Sequence, residues 1–64
     1  MGNFKVEQMR DGVAVKRTDV QAGSDVEAAK TWGPVEAPLG REPIAGQWIR
    51  VTYVASGRTS WFRP

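Results

Sequence analysis

Two tryptophans and two arginines recur near the C-terminus at spacings that a β-hairpin would bring together. Residues 47–63 are rich in β-branched and aromatic side chains, and Ser56-Gly57 tolerates the positive φ values of a two-residue turn. Because successive side chains of a strand point to opposite sides, one face of this hairpin collects tryptophan and arginine. The predicted partner-binding residues are Trp48, Arg50, Arg58, Trp61 and Arg63. Tryptophan and arginine side chains combine a large contact area with positive charge, which is suited to binding a partner.

The predicted register separates this surface from a core face. It pairs Trp61 with Thr52 and Arg63 with Arg50. The side chains assigned to the core are Ile49, Val51, Tyr53 and Phe62. Two arginines that face each other repel mildly unless an anion or an acidic partner lies between them. The register therefore favours a partner on the tryptophan and arginine side.

Three interpretations of this surface stay open. Arginine contacts phosphates and tryptophan stacks on bases, which fits a nucleic-acid ligand. Tryptophan and arginine are also enriched among the residues that dominate the energy of protein interfaces, which fits a protein partner. In the third interpretation, the helix covers one tryptophan and the arginines only keep a sheet face soluble. The facing arginines weigh against the third.

The side chains used in common enzyme chemistry are mostly missing. The chain has no His and no Cys, which removes the most frequent general base and the best nucleophile, and disfavours a zinc site. A pair of catalytic carboxylates would need a cleft, for which so small a domain has little room. The glycines follow no phosphate-binding motif. We predict a protein that is not an enzyme and has no catalytic residues, cofactor or metal.

Length and charge narrow the remaining possibilities. The chain has 64 residues, 41% of them hydrophobic and 25% charged, with a net charge of +2. This is typical of a single small domain, which buries only about 60% of its unfolded surface and often gains stability from a partner or from oligomerisation. Residues 41–64 carry four basic and one acidic side chain, so the positive charge gathers around the C-terminal hairpin. Without a membrane span or signal-peptide pattern, we expect a cytoplasmic monomer or weak homodimer.

Residues 3–20 predict a second hairpin from their alternation of apolar and polar side chains. A two-residue turn at Asp11-Gly12 would mix the faces, whereas a four-residue loop at 9–12 pairs Val6 with Val15. We predict the second register. It assigns to the core Phe4, Val6, Val13 and Val15. The intervening charged residues are predicted to form an ordinary solvated surface: Lys5, Glu7, Lys16, Arg17 and Asp19.

A short helix is predicted at residues 25–32. Ser24 suits the N-cap, and Glu27 stands three residues later, as in a capping box. The apolar stripe of this helix ends with Trp32, which is therefore predicted as core, and Gly33-Pro34 stops the helix. A helix this short must pack on the sheet to be stable.

The elements combine into one domain over residues 1–64. A proline- and glycine-rich loop at 33–46 leads from the helix to the C-terminal hairpin. We predict an α+β fold in the order β-β-α-β-β: a four-stranded antiparallel sheet with one short helix packed on one face.

The same order of elements carries a resemblance. The segment VQAGSDVEAAK at 20–30 leads into the helix, and the strands WIRVTYV and RTSWF follow. In this pattern the chain resembles small phage-encoded type I anti-CRISPR proteins, which place a helix against an antiparallel sheet. It is also similar to HicB-type antitoxins, although their proline-glycine signature before the helix is not present.

The anti-CRISPR resemblance implies a non-catalytic inhibitor that docks on Cas subunits of a type I CRISPR surveillance complex (Cascade) and interferes with target DNA binding. Members that imitate DNA are acidic, whereas this chain has a pI near 9.5. The expectation is therefore contact with an acidic protein surface, with nucleic acid as a possible secondary contact. The alternatives are a nucleic-acid-binding module and a structural homodimer that closes the Trp48 and Trp61 face against itself.

Overall fold

Two hairpins flank one short helix. In the computed structural model the strands are β1 (Gly2–Arg10), β2 (Val13–Ala22), β3 (Gln47–Tyr53) and β4 (Arg58–Phe62). The helix α1 (Asp25–Ala29) continues directly into a 3-10 turn (Lys30–Trp32). The structure describes residues 1–36, 38–43 and 45–64, so positions 37 and 44 of the predicted loop at 33–46 lie outside the described residues.

The four strands form one antiparallel sheet in the order β2-β1-β3-β4. The two hairpins therefore meet through their first strands, with Val6 of β1 opposite Val51 of β3. This confirms the predicted α+β class, with a four-stranded antiparallel sheet and one short helix.

The predicted capping of α1 is confirmed. The Oγ atom of Ser24 accepts a hydrogen bond from the amide of Glu27 at 3.3 Å, and the Glu27 carboxylate accepts one from the amide of Gly23 at 2.9 Å. The first bond satisfies an amide that the first turn of a helix leaves without a partner, and the second ties the residue before the N-cap to that turn. The helix stops at Gly33, whose φ of 134° disfavours other residues.

The main core lies between α1 and one side of the sheet, which we call the helix face. It consists of eight buried side chains: Phe4, Val6, Ala22, Ala28, Ala29, Ile49, Val51 and Phe62. The two alanines let the helix approach the sheet closely, and strand alternation supplies the larger residues opposite them. The apolar contact with the sheet stabilises a helix that would not form alone.

The predicted register of the first hairpin is wrong. Asp11 and Gly12, with φ values of 48° and 84°, form the two-residue turn, because this residue pair accepts the positive φ values that such a turn requires. Val15 is then an extra residue, since Met9 pairs with Ala14 and Gln8 with Lys16.

Because of this bulge, the residues of β2 on both sides of Val15 pair with β1, and the hairpin needs only a two-residue turn. Val13 and Val15, predicted as core, are instead 63% and 55% exposed. Phe4 and Val6 are buried as predicted.

The second hairpin has a four-residue loop at 54–57, so its predicted register is also wrong, by two residues. Phe62 pairs with Ile49 and Trp61 with Arg50. Because a shift of two residues keeps every side chain on its own side of the sheet, Ile49 and Phe62 are still buried. Tyr53 is the exception: it is 37% exposed and packs by its ring against Phe4, with centroids 5.1 Å apart.

Trp32 is not a core residue, contrary to the prediction from its helical spacing. Its side chain is 37% exposed, and Nζ of Lys16 lies 5.6 Å from the centre of its ring. The helical segment ends beside the edge strand β2, so the ring meets the stem and ammonium of a lysine there.

Candidate binding surface

The side of the sheet opposite α1, which we call the second face, has a small buried centre of its own. Trp48 is fully buried and its strand partner Met9 is 3% exposed. The chain that precedes β3 is tied to this end of the sheet: the amide of Asp11 donates to the carbonyl of Gly46 at 3.0 Å, and the amide of Gly46 donates to Oδ1 of Asp11 at 2.7 Å. The chain that enters β3 is therefore anchored at the same end of the sheet as Trp48.

This burial corrects the predicted role of Trp48, whose side chain is not available to a partner. The helix does not account for this burial, because it packs on the other side of the sheet. The indole Nε1 of Trp48 has no hydrogen-bond acceptor among the described residues. Trp48 acts here as a structural residue beneath the surface.

Beyond Trp48, four side chains align in register across all four strands. We call this set the cross-strand row: Arg17 on β2, Glu7 on β1, Arg50 on β3 and Trp61 on β4. Nε of Arg50 donates to Oε1 of Glu7 at 3.0 Å, and Nε of Arg17 lies 3.9 Å from Oε2 of the same carboxylate. One buried acid thus lies within ion-pair distance of basic side chains from both neighbouring strands.

The electrostatics of the row centre on Glu7, which is 5% exposed. The hydrogen bond from Arg50 lowers the pKa of Glu7, and this effect outweighs the burial of the carboxylate, which acts in the opposite direction. The pKa of Arg50 is raised, first by the hydrogen bond with Glu7 and then by the negative charges of Glu7 and Glu42. Both groups are held in their charged forms.

Arg50 and Arg63 do not face each other, contrary to the prediction, because the register places Trp61 opposite Arg50. Arg63 follows β4 and is exposed, with one guanidinium nitrogen 3.5 Å from the carbonyl of Gln47. The ion pair with Glu7 removes the repulsion that the sequence suggested. Arg50, Trp61 and Arg63 nevertheless lie on the second face, as strand alternation predicts.

Arg58 does not belong with these residues. It pairs with Tyr53, so it lies on the helix face, at a shallow groove that Asp25 also lines. On the same side, Oγ of Ser60 donates to Oδ2 of Asp25 at 2.7 Å, which links β4 to α1. The five predicted residues therefore do not form one surface. Arg50, Trp61 and Arg63 lie on the second face, Arg58 lies on the helix face, and Trp48 is buried.

The outer edge of β4 is occupied by the connection that precedes β3. The amide of Leu39 donates to the carbonyl of Trp61, and the amide of Glu36 donates to that of Arg63, both at 2.8 Å. These bonds fix the backbone of Trp61 on both sides. Its indole is half-buried and projects from the position of β4 directly opposite Arg50.

Sequence reasoning missed the roles of Glu7 and Arg17, which it assigned to a solvated surface. The available signal was an acid in the middle of a strand that would pair with basic residues on both neighbouring strands. Reading that signal requires the β1–β3 pairing, which joins residues far apart along the chain.

The described residues contain no group of three or more acidic side chains placed to hold a metal ion. No helix in this part of the chain is long and apolar enough to cross a membrane. No family model, curated protein or solved structure matches the chain. The surface chemistry is thus the basis for assigning a function.

Proposed function

We propose that the protein is a small non-catalytic binding protein that docks on a protein partner through the second face. The observation that carries this proposal is the cross-strand row, in which buried Glu7 holds the guanidinium of Arg50 by a hydrogen bond and Trp61 occupies the strand position opposite Arg50. Pre-oriented arginine and tryptophan side chains lose little conformational freedom on binding. Both residue types are common among the residues that contribute most to protein interfaces.

The pattern of charge favours a protein partner over nucleic acid. Glu7 lies between Arg17 and Arg50, and Asp19 is paired with Lys5 in the next row. A phosphate backbone prefers an uninterrupted basic track, because every acidic side chain along it repels phosphate. A protein surface can match alternating charges with its own.

In its specific form, the proposal is an inhibitor of the anti-CRISPR kind that docks on an acidic surface of a type I CRISPR surveillance complex and interferes with target DNA binding. The support is the resemblance in the order of elements, together with the net positive charge. Arg63, exposed at the end of β4, would add a contact at the rim of the interface.

The test is a pull-down of purified type I surveillance complexes on the immobilised protein. Arg63→Glu and Trp61→Ala alter the second face and should each weaken capture. Arg58→Glu is the matched control, because it makes the same charge change as Arg63→Glu but on the helix face. Circular dichroism checks that each variant is folded.

Failure of the unsubstituted protein to bind any such complex would refute the specific form. Binding that Arg58→Glu abolishes and Arg63→Glu leaves unchanged would place the interface on the helix face and refute the general form. A salt-dependent mobility shift with DNA or RNA, weakened by Arg63→Glu, would support the nucleic-acid alternative. The homodimer alternative cannot use Trp48, which is fully buried.

A further inference from the structure

Among the residues that the structure describes, the sheet has one open edge. At the β4 end, the amides of Glu36 and Leu39 bond to strand carbonyls. At the other end, no segment in the described ranges pairs with the outer side of β2, which is ten residues long. An edge strand of this length presents backbone donors and acceptors that can pair with another strand.

We propose that two copies of the chain associate through their β2 edges to form one continuous antiparallel eight-stranded sheet. Antiparallel pairing of identical strands places a two-fold axis perpendicular to the sheet, and residues directly opposite each other then share a face. The bulge at Val15 interrupts the regular edge on one side. The pairing is therefore centred in the regular part of β2, at Thr18.

The charges of Arg17 and Asp19 favour a pairing centred on Thr18. A register centred on Thr18 places Arg17 of each copy opposite Asp19 of the other, giving two attractive pairs related by the two-fold axis. Centring on Arg17 would instead oppose two arginines, and centring on Asp19 would oppose two aspartates, both of which are unfavourable. Arg17 and Asp19 are both exposed, so a second copy can reach both, and Arg17 would then lie between Glu7 of its own chain and Asp19 of the other.

The same register completes a charge pattern that already exists in each copy. On the second face, Arg50, Glu7 and Arg17 alternate in sign across three strands, and Lys5 pairs with Asp19 in the neighbouring row. In the dimer, the row formed by Arg50, Glu7 and Arg17 of one copy continues into the row formed by Asp19 and Lys5 of the other copy. The combined row alternates basic and acidic side chains across the seam: Arg50, Glu7, Arg17, then Asp19 and Lys5 of the second copy.

Sedimentation equilibrium of the protein alone tests this dimer. We expect a mass twice the 7.1 kDa of one chain. In a dimer of Arg17→Asp, both cross-strand pairs consist of two aspartates, and in a dimer of Asp19→Arg both consist of two arginines. Each single variant should therefore dimerise at least about tenfold more weakly. An equimolar mixture of the two variants should recover the dimer, because both cross-strand pairs are again attractive.

Arg58→Asp is the control, since it makes the same charge change as Arg17→Asp on the strand farthest from β2, and it should remain dimeric. A monomeric mass for the unsubstituted protein at millimolar concentration would overturn the proposal. A dimer that persists in both single variants, or a mixture that stays monomeric, would overturn it as well. No partner protein is present, so the outcome is independent of the pull-down.

Discussion

Glu7 and Arg50 form a hydrogen-bonded ion pair across the two central strands, and they differ in access to water. The Glu7 side chain is 7% exposed and that of Arg50 is 32% exposed. An arginine that loses its partner can still be hydrated from the second face, whereas the buried carboxylate cannot. The energetic cost of breaking the pair therefore depends on which partner is removed.

We predict that Arg50→Met destabilises the fold more than Glu7→Gln. Arg50→Met leaves the carboxylate buried without its hydrogen-bond donor, at a cost of about 3 kcal/mol. Glu7→Gln keeps an acceptor for the arginine and costs about 1 kcal/mol. Urea unfolding of both variants measures the difference, and equal costs would contradict the asymmetry.

The lowered pKa of Glu7 predicts a dependence of stability on pH. The folded state binds this proton less readily than the unfolded state, so the stabilisation is fully present above the usual glutamate value of 4.5 and is lost as the pH falls through the lower folded-state value. Urea unfolding between pH 7 and pH 2 should show this loss. Other carboxylates titrate in the same range, so the control is Glu7→Gln, whose stability should fall less steeply. Parallel curves would contradict a role for Glu7.

The three tryptophans should rank by burial when each is replaced by alanine. Trp48→Ala empties a fully buried site and should cost about 3–5 kcal/mol, a large share of the stability of a domain this small. Trp61→Ala should cost less because the indole is half-buried. Trp32→Ala removes the most exposed of the three indoles, together with its contact to Lys16, and should cost the least. Thermal unfolding gives the order, and a larger effect at Trp32 than at Trp48 would contradict the structure.

Asp11 should tolerate asparagine better than alanine. Its backbone has a φ of 48° and its side chain accepts the amide of Gly46. Asparagine accepts the same bond and adopts this conformation readily, whereas Asp11→Ala loses the bond and strains the turn, for about 1–2 kcal/mol in total. Because these bonds anchor the chain two residues before the buried Trp48, fluorescence of Asp11→Ala should report a more hydrated tryptophan. Unchanged emission and stability would show that the anchor is dispensable.

Local signals predicted much of the fold. The cap at Ser24 and the stop at Gly33 depend on residues only a few positions apart, so sequence alone identifies the helix. The sides of β3 and β4 were also assigned correctly, since an error of two residues in register does not move a side chain to the other face. The bulge at Val15 was not predicted because nothing in the local alternation distinguishes it from a longer loop.

The candidate surface was predicted only in part, because its composition depends on contacts between distant segments. Trp48 and Trp61 have equivalent positions in the strand pattern, yet the first is fully buried and the second is half-exposed. Glu7 has the sequence environment of a surface acid, and only the β1–β3 pairing makes it a buried partner of Arg50. Trp32, which was predicted as core, is partly exposed, and Trp48, which was predicted as surface, is fully buried.

The strand order β2-β1-β3-β4 also determines how the chain reaches its folded state. Each hairpin closes a loop of only two or four residues, so both can form early at little entropic cost. The contact between β1 and β3 must instead close a loop of about forty residues that includes the helix. Because this long loop has the largest closure entropy, we expect the contact between β1 and β3 to limit the rate of folding.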